Sequence, residues 1–186
     1  QIFVFWIPLA LMWIMMGIEQ PAVNAIIARL PMPKENLAAF GVTFGVALLI
    51  EGPIIQLLAA GTALSHNLEN YTRLLKFMHI MAISLTGIHL LVALTPLFDL
   101  IAEHLLGIPE NLIGLSREAF IIMFPWSAVI GYRRLFQGVL IRYGKTKIIP
   151  ITMIARLVVT GVILLLGYLF QFATGANVGA LALSAG

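Results

Sequence analysis

The sequence predicts an all-α, polytopic transmembrane helical bundle with five full spanning helices and the start of a sixth. Three observations carry that expectation. Five long apolar stretches, Ile2–Ile18, Leu37–Leu64, Ile80–Leu97, Phe120–Gly131 and Ile148–Phe172, fill most of the 186 residues. Hydrophobic residues make up 61% of the chain and charged residues 10%, too little polar surface to cover a soluble domain. Between them the five stretches hold only three acidic, basic or histidine side chains, Glu51, His89 and Arg156. A hydrocarbon core of about 30 Å needs roughly 20 helical residues.

The first helix is expected from about Ile2 to Leu30, bent at Pro8 and Pro21. Pro31 and Pro33 end it, and Asn36 is placed to cap a second helix from about Leu37 to Leu64 with Gly52-Pro53 at its middle. A third helix starts near Asn70 and reaches Leu94, followed by an amphipathic piece, Pro96 to Gly107, lying along the interface. The fourth runs from about Ser116 to Tyr143, bent at Pro125, and the fifth from Lys147 to Phe172. Gly175–Gly186 is about half a span, either a re-entrant tail or a sixth helix cut short. The second reading is preferred, because both chain ends stop inside an apolar pattern. Residues 1–186 then form a single six-helix transmembrane lobe, a fragment of a longer chain.

Basic residues set the expected orientation. Arg73, Lys76, Arg142, Lys145 and Lys147 lie on the side of the chain start, against Arg29, Lys34 and Arg117 opposite. The positive-inside rule puts the first residue, Gln1, and the RYGKTK loop in the cytoplasm of a multi-pass protein of the cell (inner) membrane. The net charge of +3 thus reads as topology, not as a nucleic-acid footprint. Cysteine is absent, which excludes disulfides and thiolate metal sites.

Polar side chains at bilayer depth are the candidate site. A charge at a helix centre costs about 3 kcal/mol on insertion scales, so it must face the bundle interior, find a partner or shed its charge. Glu19 follows an uncharged run and has Asn24 about one turn beyond. Glu51 stands near mid-span beside Gly52-Pro53, with Gln56 about one turn on. Pro53 has no N–H to offer the Leu49 carbonyl, and a freed carbonyl, a carboxyl and an amide together suit an ion or substrate site in a broken helix. On the fourth helix Arg133 and Arg134 point about 100° apart, so one is expected in an inner vestibule and the other at the interface. Gln137, four residues after Arg133, extends that stripe, and Arg156 either snorkels or pairs with an inner acid. For each of these residues the competing reading is structural: interhelical hydrogen bonding, a hinge, or topology anchoring.

His79 and His89 are ten residues apart and make no ligand pair, so no metal site is expected. Gly41/Gly45 and the small residues Ala155, Gly161 and Gly167 allow close helix packing. No nucleophile elbow, phosphate loop or dinucleotide fingerprint occurs, so the expectation is not an enzyme, with no cofactor.

The order of features resembles one family. IPLALMWIMMGIEQPAVNAIIARL followed by ENLAAFGV is similar to the first helix, entry loop and "AA-x-G" second-helix start of the multidrug and toxin extrusion (MATE) transporters and their flippase superfamily. YRRLFQGVLIRYGKTKIIPITMIARLVVTGVILLLGYLF resembles that family's "R-G-x-G-x-T" loop and fifth helix, and GANVGALALSAG the start of its sixth. Multidrug members carry a coupling aspartate near the position of Val23 or Asn24, and here that place is uncharged. Glu19-Gln20 with Gly52-Pro53 is more similar to the progressive-ankylosis branch, whose members export small anions such as pyrophosphate, citrate or nucleotides. The resemblance implies an exporter lobe working by alternating access with a second lobe outside this chain. Its partners are the bilayer and a small-molecule substrate, and its antiport is coupled to H+ or Na+. Glu19, Asn24, Glu51 and Gln56 would line the polar interior, with Arg133, Arg134, Gln137 and Arg156 tuning it for anions. A lipid-linked oligosaccharide flippase and a non-transporting scaffold or receptor subunit are the alternatives.

Overall fold

The computed structural model describes residues 2–186; Gln1, assigned above to the cytoplasmic side, lies outside them. The described residues are all-α. They form α1 (Ile2–Ile27), α2 (Pro33–Ile55), α3 (Leu57–Leu64), α4 (Leu68–Leu94) and α5 (Leu97–Leu100), which runs into a π-helical turn, Ile101–Leu105. After it come α6 (Glu110–Ile122), α7 (Trp126–Arg142), α8 (Ile148–Phe170) and α9 (Gly175–Ala185). Four units are long and apolar enough to cross a bilayer: α1, the continuous Pro33–Leu64 pair α2–α3, α4 and α8. The α6–α7 pair, bent by 47°, makes a fifth. The chain is a multi-pass membrane protein.

Several boundaries differ from the expected ones for local reasons. The second helix passes through Pro53 and breaks three residues later, where the Gln56 N–H donates back to Pro53 O at 3.3 Å. The next turn restarts with Ala60 N–H donating to Gln56 O at 3.1 Å. Asn36 is not the cap of α2: that helix starts at Pro33, after Met32 in the left-handed region at φ 53°. The buried Asn36 instead donates through Nδ2 to the carbonyls of Pro31 and Met32 and accepts the Ala176 N–H of α9 at 2.8 Å. A side chain that sequence spacing assigned to one helix start thus serves another, 140 residues away.

α9 fills the middle of the bundle. It touches α1, α2, α6, α7 and α8, and buries Gly175, Ala176, Val178, Gly179, Ala180, Ala182 and Leu183. Small residues are required there, because a Cβ on Gly179 would stand 2.8 Å from Ile27 Cδ1 and 2.9 Å from Phe40 Cε2. α1 is peripheral. It buries only Pro8, Met12, Glu19, Val23 and Ile27, so most of its surface is left for lipid.

Both faces of the bundle are tied. On the side rich in Lys and Arg, Tyr143 Oη donates to Ser65 O at 3.0 Å, and Arg142 contacts His66. Opposite, Arg117 pairs with Asp99 at 3.0 Å and donates to Thr95 O at 2.8 Å, while Asn177 Nδ2 donates to Glu118 at 3.2 Å.

Candidate functional site: a buried arginine cavity

Helical periodicity aims three elements at one point. The buried stripe of α1 is Pro8, Met12, Glu19, Val23 and Ile27, and that of α8 is Ile149, Met153, Arg156, Thr160, Leu164 and Gly167. Both step by three, four or seven residues, as one face of a helix does. α7 buries Trp126, Ser127, Ile130, Gly131, Arg134, Leu135, Gln137 and Gly138. Where the stripes meet, Arg156 Nη2 lies 2.9 Å from Glu19 Oε2, with 6% and 7% of the two side chains exposed. Thr160, one turn past Arg156, completes the contact: its Oγ1 is 3.4 Å from both Glu19 Oε1 and Ala182 O of α9.

Beside this ion pair is a cavity of about 130 Å³, lined by Glu19, Arg133, Arg134, Arg156, Trp126 and Met16 among others. Its polar valences are unevenly filled. Arg134 meets only a sulfur, Met16 Sδ at 3.9 Å, a weak acceptor. Buried Arg134 Nε and Nη1, Arg156 Nε and the Trp126 indole Nε1 have no hydrogen-bond partner. All four are donors, on three side chains that line the same space. A buried donor left unmade costs about 1–3 kcal/mol, more for charged groups. Turned toward the space, these side chains would favour a ligand that offers acceptors.

Glu51 lies behind this wall. Fully buried, it accepts from Ser127 Oγ at 3.1 Å, while its Oε2 has no partner. Arg133, half-buried on α7, stands within electrostatic range of both Glu51 and Glu19. Three arginines thus face two carboxylates inside the bundle, a formal excess of one positive charge.

The candidates sort as follows. Glu19, Arg133, Arg134 and Arg156 share the cavity, and Glu51 is next to it. The expectation that Arg133 and Arg134 would divide between vestibule and interface is corrected, since both line it. Arginine arms are long enough to converge from flanks 100° apart. Gln137 is buried but turns away, its Nε2 3.9 Å from Met153 Sδ. Asn24 and Gln56 are exposed and do not join the site. Each stands five residues beyond its carboxylate, about 140° round a helix of 3.6 residues per turn. Trp126, Thr160 and Ser127 were not among the candidates. Thr160 at i+4 from Arg156 and Ser127 at i−7 from Arg134 lie on the same helix faces as those arginines, the pattern that could have flagged them.

His79 and His89 make interhelical contacts. His79 Nε2 meets Tyr132 Oη at 2.6 Å, and His89 Nε2 meets Phe120 O at 2.8 Å. Among the described residues no group of three or more His, Cys, Asp or Glu could hold a metal ion. No protein-family model matches this chain, and no curated protein or solved structure matches it at a significant level. The class defined by fold and hydropathy is a multi-pass helical membrane protein, with an arginine-lined cavity among its spans.

Proposed function

We propose that this chain is one lobe of a secondary active exporter, similar to the MATE and flippase superfamily, that moves a small anion by alternating access. The observation that carries the reading is the surplus of unpartnered donors on Arg134, Arg156 and Trp126 around one cavity at bilayer depth. Charge-assisted bonds to an oxyanion would satisfy them and offset the excess positive charge. A lipophilic cation would add to it. The ordered resemblance quoted from the first helix to GANVGALALSAG supports the superfamily, a second lobe outside this chain and a place in the cell membrane. In this reading Glu19 holds Arg156 in place, Glu51 serves the coupling ion, and no enzymatic step is involved.

Arg134 gives the cleanest test, because its removal leaves no carboxylate without a partner. The full-length protein in proteoliposomes is expected to exchange radiolabelled citrate or pyrophosphate, and Arg134→Gln to cut that rate by tenfold or more at unchanged melting temperature. Ethidium transport without anion exchange would return the protein to the multidrug reading. Undiminished anion flux in Arg134→Gln would remove the cavity from the pathway. In the same vesicles Glu51→Gln is expected to abolish dependence on the driving H+ or Na+ gradient while anion exchange continues; persisting gradient dependence would leave Glu51 a structural partner of Ser127.

A further inference from the structure

The two faces of the bundle differ sharply in charge. The side of the α3–α4 and α7–α8 connections carries Arg73, Lys76, Arg142, Lys145 and Lys147 against one acid, Glu69. The other side carries Arg29, Lys34 and Arg117 against Glu35, Asp99, Glu103, Glu110 and Glu118. On the basic side a groove of about 380 Å³ opens between α3 and α4, lined by Ala60, Leu64, Asn70, Arg73, Leu74 and Phe77. Its polarity is graded. Asn70 and Arg73 lie in the first two turns of α4, with Phe77 roughly 10 Å deeper than Asn70 at 1.5 Å per residue. Lys76, exposed one turn past Arg73, stands beside the groove rather than in its lining. Leu64 and Phe77 are about half exposed, at 52% and 54%, so the groove wall is open to the surroundings. Tyr71 and Tyr143 line a second opening at the same end, and tyrosines gather at the level of lipid headgroups.

The geometry points to a seat for an anionic phospholipid in the α3–α4 groove, its phosphate held by Arg73 and Asn70, with Lys76 adding positive charge alongside, and one acyl chain laid against Ala60, Leu74 and Phe77. A polar mouth at headgroup level over an apolar wall that deepens into the hydrocarbon matches an amphiphile, and the local surplus of cations selects a negative one. The bond from Arg73 to Glu69 does not close the mouth. Its side chains are 75% and 70% exposed, and exposed i,i+4 pairs of this kind are held only weakly. This site is separate from the arginine cavity and holds whether or not the protein transports anything.

Native mass spectrometry of the purified protein, titrated with phosphatidylglycerol or phosphatidylcholine, tests it. Phosphatidylglycerol is expected to bind at least tenfold more tightly. At about fivefold per cation, the double variant Arg73→Gln/Lys76→Gln should lose roughly 25-fold in phosphatidylglycerol affinity. Arg29→Gln/Lys34→Gln, on the other face, should lose none. Ala60→Phe, which fills the groove without touching a charge, should also release the lipid. Equal binding of the two lipids, equal loss in the Arg29/Lys34 variant, or full retention in Ala60→Phe would each overturn the proposal.

Discussion

The crossing of α3 with α7 and the meeting of α1, α7 and α8 share one helix and are built on opposite terms. At the first, backbones touch: a Cβ on Gly61 would stand 2.9 Å from Leu135 O and 3.2 Å from Gly138 Cα. Thr62 Oγ1, 2.9 Å from Leu58 O and 3.3 Å from Gly138 O, adds a hydroxyl with its hydrogen-bonding capacity met inside this seam. At the second, four arginine and tryptophan donors are buried and unfilled, and an ion pair stands where close packing would be cheaper. A membrane helix gains most from close van der Waals packing, and α7 achieves it on the Gly138 face. On the Arg134 face it forgoes that gain. Costly residues within a few turns of residues that lower the cost of folding are the contrast on which the proposed ligand site rests.

The packed half can be broken outright. Gly138→Leu forces a side chain into the backbone of α3, where a Cβ would already stand 2.9 Å from Gly61 Cα and from Thr62 N. Neither helix can retreat without opening its neighbours, so the cost should exceed the upper end of ordinary overpacking, about 3 kcal/mol. The expected result is loss of monodisperse protein on size-exclusion chromatography after extraction. Normal yield and melting temperature would mean that the seam is looser than its distances.

The polar half should break differently, through charge. Glu19→Gln removes the partner of Arg156 and leaves a buried cation, a loss of about 3–5 kcal/mol for a pair of this kind. The double variant Glu19→Gln/Arg156→Gln should recover most of that stability, because two amides can bond to each other without a net charge. Melting curves in detergent of the two single variants and the double one report the coupling as the departure of their shifts from additivity. If the single variants melt like the parent, the pair is not desolvated and the comparison with the packed seam fails.

These two regions were not equally legible. The spans followed from the length of apolar runs, and so did the bend before Trp126, which Pro125 announces. Glu19, Glu51 and Arg156 stood out because a charge inside an apolar run is rare. The packed seam was invisible: Gly61 and Gly138 are 77 positions apart, and each looks like any membrane-helix glycine until a tertiary crossing pairs them. The GxxxG pair Gly41/Gly45, which spacing did favour, faces open space. Spacing also overreached with Asn24 and Gln56, where "about one turn" meant five residues and the opposite side of the helix. Periodicity reports which face a residue is on. What that face meets is decided by the other helices.

Asn36 tests the smallest and most local part of the contrast. It belongs to neither region, yet it fixes the start of α9, the helix whose Ala182 carbonyl lies 3.4 Å from Thr160 beside the ion pair. Asn36→Ala frees the Ala176 N–H and removes two bonds to the carbonyls of Pro31 and Met32. Thr174 still caps the next turn, its Oγ1 3.4 Å from the Asn177 N–H, so the loss should resemble that of a single helix cap, about 1–2 kcal/mol. Where the loss appears matters more than its size. Hydrogen exchange should quicken at the first turn of α9 and at the α1–α2 connection, while amides of α3 and α7 around Gly61 and Gly138 keep their protection. Exchange that quickens equally in both places would mean that the packed seam and the polar cavity unfold as one unit. The division drawn between them would then be one of composition alone.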